Sequence, residues 1–487
     1  MPGRVDGLES MATLSVRSRQ ASMLTAILLL CASTAALLLY GSIAAVYVAV
    51  LPAALVAALL FARETNALLV GFALLVPLAG LELLPHQFHR FVYYPLTPLL
   101  ALFLTATGFV SGRTAGRTPR LQRIEIVGLT LFGISIVASY VNANLHGWVT
   151  KDTTVHAVTG IEMVLLMLSF AIVPSSMNQV RTITLTLIGS AVLACALLLT
   201  LPAAIGEGGM LGGKLLDTPF GTANLNAFGT IIASSAVIAL AMAQAAHETR
   251  HRLLLMAAFL VLAATLVFTK SRGAWMGLGA GLIYLALSSR ARWMPITLAI
   301  IAALLVSSAA VRTIVVARFT ETNITDPSLI GRLLLWKYAL VVAAKNWLFG
   351  CGLENYRVVK HMFGYPFPMV YALRYNAHNI YLEAFVDLGI VGLAILLWLL
   401  VGSFVRSSNA VKSHDASDLG LALSAGIVAY AAHGLVDCIF FQQGVFALLG
   451  MLVGLSISLK RLTAGTASAG GLTLPEPPVS LSRVGAT

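Results

Sequence analysis

Charge is what this sequence has least of. Only 10% of its residues are Asp, Glu, Lys or Arg while 59% are hydrophobic, against roughly 25% charged and 45–50% apolar in ordinary soluble domains. A water-soluble core cannot hide that apolar excess, so much of it must face lipid. Cysteine is scarce as well. The four are Cys31, Cys195, Cys351 and Cys438. No Cys/His spacing matches a zinc site, and a Cys351–Cys438 disulfide is left open by the spacing. Also missing are an Asp-X-Asp pair for a metal-held nucleotide sugar, a phosphate-cradling loop of the P-loop type and a GxSxG nucleophile elbow. Spans studded with charge, as in a voltage sensor or proton relay, are lacking too.

What is present is a succession of apolar runs. A membrane span needs about 20 mostly apolar residues, and about fourteen stretches qualify: near 22–40, 43–61, 66–83, 92–110, 124–141, 155–173, 182–202, 224–245, 253–269, 274–288, 294–315, 380–404, 418–437 and 442–459. The expected fold is therefore all-α, a polytopic bundle of about 12–14 helices. Arg4, Arg17 and Arg19 before the first run resemble a signal peptide, but the apolar stretch continues without a cleavage site, so an uncleaved helix is expected.

The net charge of +12 does not point to nucleic acid. The basic residues sit in small clusters between apolar runs, as orientation signals do, and the expected partners are anionic lipid and an anionic substrate. With both termini inside, roughly 18 basic residues fall in the inner connections, among them Arg63, Arg113, Arg117, Arg120, Arg123, Arg181, Arg250, Arg252, Arg406, Lys412, Lys460 and Arg461. The short outer connections hold only Arg90, Lys151, Lys214, Lys270 and Arg272. The expected organisation is an inner tail over 1–21, helices through 22–315, a long outer loop over 316–379, helices through 380–460 and a disordered inner tail over 461–487. Within the loop, Ser328 to Leu348 reads as an amphipathic helix, with Leu329, Leu333, Trp336 and Leu340 at helical spacing and Gly350 as its stop, lying on the membrane surface or against the bundle.

Three places could carry chemistry. Lys270-Ser271-Arg272-Gly273-Ala274-Trp275 is either an interfacial turn with snorkelling cations and a belt tryptophan or a phosphate grip, since a guanidinium fork matches phosphate oxygens. Arg332, one turn before Trp336, is either a solvated arginine or a second such cation. In Asn376-Ala377-His378-Asn379-Ile380-Tyr381-Leu382-Glu383, Asn376 or Asn379 can cap the returning helix. His378 then sits by its positive end, which favours an uncharged ring able to accept a proton; the alternative is a surface histidine in a capping turn. Asn224 and Asn226 fit caps or sugar-binding amides. His433 and Asp437 share a helix face and fit an internal hydrogen bond at least as well as a site.

Taken in order, Ser271-Arg272-Gly273-Ala274-Trp275, Gly331-Arg332 with Trp336, the stretch Asn346 to Asn355 with Gly350-Cys351-Gly352, and His378 to Glu383 followed by Gly389-Ile390-Val391-Gly392 resemble the O-antigen ligase and polymerase superfamily of bacterial membrane glycosyltransferases. The resemblance covers roughly residues 215–455. It implies a multi-pass protein of the bacterial inner membrane that moves a glycan from an undecaprenyl-diphosphate carrier to a hydroxyl of lipid A–core oligosaccharide or, in the polymerase branch, of another lipid-linked repeat unit. The active site would face the periplasm and need no metal or other cofactor. His378, Arg272 and Arg332 would be catalytic; Asn224, Asn226, Trp336, Arg374, Asn379 and Glu383 would bind substrate. A flippase for lipid-linked sugars is the alternative of another class, though paired broken helices in two related halves are not evident.

Overall fold

An apolar run inside lipid has no water to bond its peptide groups, so it closes them internally as helix. The computed structural model describes residues 65–80, 121–200, 215–218, 221–288, 327–366, 376–413, 415–438 and 443–470. Before the long loop come α1 (Thr65–Gly80), α2 (Arg123–Leu145), α3 (Lys151–Ile172), α4 (Met177–Thr200), a hairpin of β1 (Leu215–Thr218) and β2 (Gly221–Asn224), then α5 (Leu225–Ala245), α6 (Thr249–Phe268) and α7 (Arg272–Ser288). The loop contributes α8 (Pro327–Lys345), α9 (Tyr356–Val359) and a 3-10 turn (Lys360–Phe363). It is followed by α10 (Ile380–Ala410), α11 (Ser417–His433) and α12 (Gln443–Gly470).

Seven of the described helices (α2, α3, α4, α5, α6, α10 and α12) are long and apolar enough to cross a membrane. The chain is a multi-pass helical membrane protein. The runs at 22–40, 43–61, 92–110 and 294–315 lie outside the described residues. So does Cys31, whereas Cys195, Cys351 and Cys438 are free thiols. Burial pushes the Cys351 thiol well above its ordinary value, as expected of an inert core cysteine.

The centre of the bundle is α5, buried at every position from Leu225 to Ala243 between α6, α7 and α11. Three of the basic residues expected on the inner side meet partners within the described residues. Lys460 pairs with Glu125 at 3.2 Å, Arg181 with Asp418 at 2.8 Å, and Arg461 bonds the Pro174 carbonyl. Helix α12 runs on through Gly470, ten residues past the boundary expected at 460, because nothing before Pro475 forces a stop. The hairpin adds two short antiparallel strands to the expected all-helical bundle. Its register sets Leu215 opposite Asn224 and Thr218 opposite Gly221.

One expectation about the long loop needs correction. Helix α8 ends at Lys345 rather than near Leu348: the Asn346 side chain turns back to the Val342 carbonyl, and residues 347–349 form a turn. Its face against the protein is Leu335, Ala339, Val342 and Ala343, whereas Leu333 and Leu340 of the expected stripe are more than half exposed. The helix is apolar on two sides, and the stripe read from the spacing is the one turned away from the protein, as a helix on a membrane surface would have it.

The turn after α8 repairs a break in α10. Gly389 has φ +72 and ψ −174, interrupting the helix, and the loop supplies the missing partners. The Ile390 N–H donates to the Trp347 carbonyl at 2.7 Å, the Cys351 N–H to Val386 at 3.0 Å and the Gly352 N–H to Asp387 at 3.1 Å. The Asp387 carboxylate accepts the Glu354 N–H at 2.6 Å and the Tyr356 N–H at 3.2 Å. From α2, Asn142 bonds the Gly350 carbonyl at 2.7 Å. A Cβ on Gly389 would stand 2.2 Å from the Leu348 oxygen, and one on Gly350 2.2 Å from the Asp387 oxygen. Gly389→Ala is expected to cost at least about 1–3 kcal/mol from the left-handed backbone alone. Thermal unfolding in detergent reads the loss, and a variant melting with the parent would show that the junction is slack.

Candidate active site

The site is built where the loop returns to the bundle. Asn379 caps α10, its Oδ1 accepting the Tyr381 and Leu382 N–H groups at 3.0 and 2.9 Å. Its amide donates to the Leu435 carbonyl at 2.8 Å. The Ile380 N–H donates to Gly434 at 2.8 Å and the Tyr381 hydroxyl to Ala431 at 2.9 Å. These bonds stitch the returning strand onto the end of α11. His378 takes a left-handed backbone, φ +47, uncommon for a residue with a Cβ and a frequent mark of functional sites. Its Nδ1 lies 2.8 Å from Oδ1 of Asp437. The carboxylate side chain is 8% exposed and the imidazole 24%. A neutral ring that donates from Nδ1 to Asp437 carries its lone pair on Nε2, the arrangement of an oriented general base.

Cations border this pair. The Arg332 guanidinium on α8 acts electrostatically on both Asp437 and His433. On α7, Gly273 packs so closely on α11 that a Cβ there would stand 2.7 Å from Nε2 of His433. Gly277 does the same against the Ala429 carbonyl. This small-residue seam brings the start of α7, where Arg272 lies next to Gly273, against His433 and Val436 at the C-terminal end of α11, just before Asp437. The Ser271 hydroxyl caps the helix at the Ala274 N–H, and Trp275 fastens the turn through an indole bond to the Leu266 carbonyl at 3.0 Å. His433 is wholly buried, its Nδ1 2.8 Å from the Thr230 hydroxyl.

The remaining candidates divide. Asn224 uses its side chain to cap α5, accepting from Asn226 and Ala227, and Asn226 is buried in the first turn. The Trp336 indole donates to the Ala377 carbonyl at 2.8 Å, while Oε2 of the buried Glu383 accepts the Ala377 N–H at 2.5 Å. These two hold the peptide next to His378 from both sides. Arg374 lies outside the described residues. Asp437, which on sequence had only a same-face relation to His433, is the partner of His378; its signal was a lone carboxylate closing the apolar run at 418–437. The described residues contain no cluster of three or more His, Cys, Asp or Glu arranged to hold a metal.

An imidazole oriented by a carboxylate on which the Arg332 guanidinium also acts suits deprotonating an alcohol while an anionic group departs. A family model described as O-Antigen ligase matches residues 257–397, a stretch containing Arg272, Arg332, Trp336, His378, Asn379 and Glu383 but ending before Asp437. No curated protein matches the chain. Residues 257–397 of this membrane protein thus match the O-antigen ligase family model, in line with the superfamily that the order of the motifs resembles.

Proposed function

We propose that this protein transfers a glycan from undecaprenyl diphosphate to a hydroxyl of lipid A–core oligosaccharide at the periplasmic face of the inner membrane, with inversion and without a metal. The observation that carries this reading is the His378–Asp437 bond beside Arg332. The acceptor O–H gives its proton to Nε2 of His378 as its oxygen bonds the anomeric carbon from the face opposite the leaving group. The anomeric C–O bond breaks with both electrons on the departing lipid diphosphate. An oxocarbenium-like transition state is expected by analogy with glycoside hydrolysis. Arg272 and Arg332 stand for the charge that grows on the diphosphate. Trp336 and Glu383 act on His378 through the Ala377 peptide and are better read as positioning residues than as sugar contacts. Asn224 shapes the site by capping α5.

Supply of acceptor separates this reading from its rivals. Purified protein in liposomes receives lipid-linked glycan with and without core lipid, each in buffer and in excess chelator. A core lipid gaining mass at equal rates with and without chelator is the expected result. Glycans lengthening on the carrier alone would make it a polymerase. Strict need for an added divalent ion would remove the two-arginine account of the leaving group. Lipid translocation without any glycan transfer would make it a flippase.

A further inference from the structure

Helix α10 is too long for the place it occupies. At one end Gly420 of α11 packs so closely on it that a Cβ there would stand 2.7 Å from the Ser407 carbonyl oxygen and 2.8 Å from the Val411 nitrogen. At the other the Ile380 N–H donates to the Gly434 carbonyl, just past α11, at 2.8 Å. Along α11 these two levels are about 21 Å apart, at a helical rise of roughly 1.5 Å per residue. Along a straight α10 they would be about 40–46 Å apart. The helix therefore folds back on itself, and the place is Gly389, where the backbone leaves the helix.

The fold divides α10 into two limbs. Residues 380–388 lead from His378 to the fold. Residues 390–410 lead away from it over about 31 Å, close to the thickness of a bilayer's hydrocarbon core, about 30 Å. The exposed side chains of this second limb include Ile390, Leu397, Val401 and Val405, which lie along one face, as in a helix with one side to lipid. The end of that face is covered. The Trp347 carbonyl takes the Ile390 N–H at 2.7 Å, which sets the turn Trp347-Leu348-Phe349 beside Ile390. All three side chains of the turn are exposed, Trp347 by 57%. The outward stripe of α8, with Ile330, Leu333, Leu340 and Val341, leads into the turn, and Lys337 and Lys345 are exposed on the same helix. Apolar side chains mixed with lysine, next to a tryptophan at the end of a span, are what a membrane interface selects.

We propose that Trp347-Leu348-Phe349 is a lipid anchor: the turn sits in the membrane interface where the 390–410 limb leaves the hydrocarbon, and the exposed stripe of α8 lies in that interface beside it. The occupant of this surface is phospholipid, because the patch continues the lipid-facing side of α10 through the Trp347–Ile390 bond. The anchor is tied to the reacting groups. The Cys351 and Gly352 N–H groups donate to the Val386 and Asp387 carbonyls, on the limb that begins just after His378. Because that limb folds back, His378 stands beside the span and not a limb's length of about 13 Å beyond its end. The depth of the turn in lipid thus sets the depth of the imidazole. This deepens the proposed transferase reading and rests on it only for what the depth serves, which is to hold His378 at the level of a lipid-linked diphosphate.

The experiment places the full chain in phosphatidylcholine liposomes whose acyl chains carry bromine either near the headgroup or near the bilayer centre. The signal is Trp347 fluorescence, taken as wild type minus Trp347→Phe. Bromine near the headgroup is expected to quench it about twofold or more, bromine at the centre less, and acrylamide in the water hardly at all. Quenching by acrylamide and not by lipid would put the turn in water and overturn the anchor. A signal that no quencher reaches would overturn it too, since protein, a second copy of the chain included, would then cover the turn. Phe349→Asp adds a charge at an exposed position of the anchor. Its kcat/KM should fall about tenfold on a long-chain donor embedded in the liposome and stay within about twofold on a short-chain donor dissolved in the water. Equal losses on both donors would overturn the link between depth and a lipid-borne substrate. The quenching needs no turnover, so lipid quenching in a protein that transfers no glycan would sustain the anchor while the transferase reading fell.

Discussion

Replacing His378 by Gln lowers kcat for glycan transfer by about a hundred- to ten-thousand-fold, the range supplied by a positioned general base. Glutamine keeps a polar side chain of similar reach but cannot take a proton. The donor and acceptor should therefore still bind, and the loss should appear in kcat with KM little changed. Asp437→Asn is the sharper companion. It keeps the side chain 2.8 Å from Nδ1 but can turn its amide toward the ring and select the wrong tautomer. If the pair works as a unit, the double variant is hardly worse than His378→Gln alone. Additive losses from the two variants would show that Asp437 serves something other than the imidazole. Full activity in His378→Gln would end the general-base assignment.

Arg272→Ala and Arg332→Ala are each expected to lower kcat by about a hundred- to a thousandfold, the cost of removing a preorganised group from developing negative charge. Arg→Lys at either position should recover only part of this, because a single ammonium cannot reproduce the planar fork on a diphosphate. The leaving group supplies the check. With a donor whose leaving group is a more stable anion, the arginine variants should lose less, because that anion needs less help, while the His378→Gln deficit stays the same. An equal penalty for both donors would place the arginines in ground-state binding.

The helices of this protein were legible because lipid leaves an apolar run little choice. Runs expected at 155–173, 224–245 and 380–404 emerge as α3, α5 and α10 within a few residues. Of the basic residues expected on the inner side, Arg181 pairs with Asp418 in the first turn of α11, at the end away from the His378–Asp437 pair. The break at Gly389 was not, since an isolated glycine in an apolar run looks like any packing glycine until the partner that fills the gap is seen. Nor was the buried face of α8, whose stripes are both apolar. At the site, His378 and the two arginines stood out by chemical type. Asp437 did not, because a carboxylate after an apolar run takes its meaning from a contact 59 residues away.

The junction at Gly389 bears on how the protein is made. Around Gly389, α10 owes the partners of the Ile390 amide and of the Val386 and Asp387 carbonyls to residues 347–352, in a loop synthesised before it. That stretch is made first and stays without these partners until α10 is in place. Until the two meet, the helix presents open peptide groups to lipid. An insertion lengthening residues 353–366 should hinder this assembly more than one placed in an inner connection, even if neither touches the reacting groups.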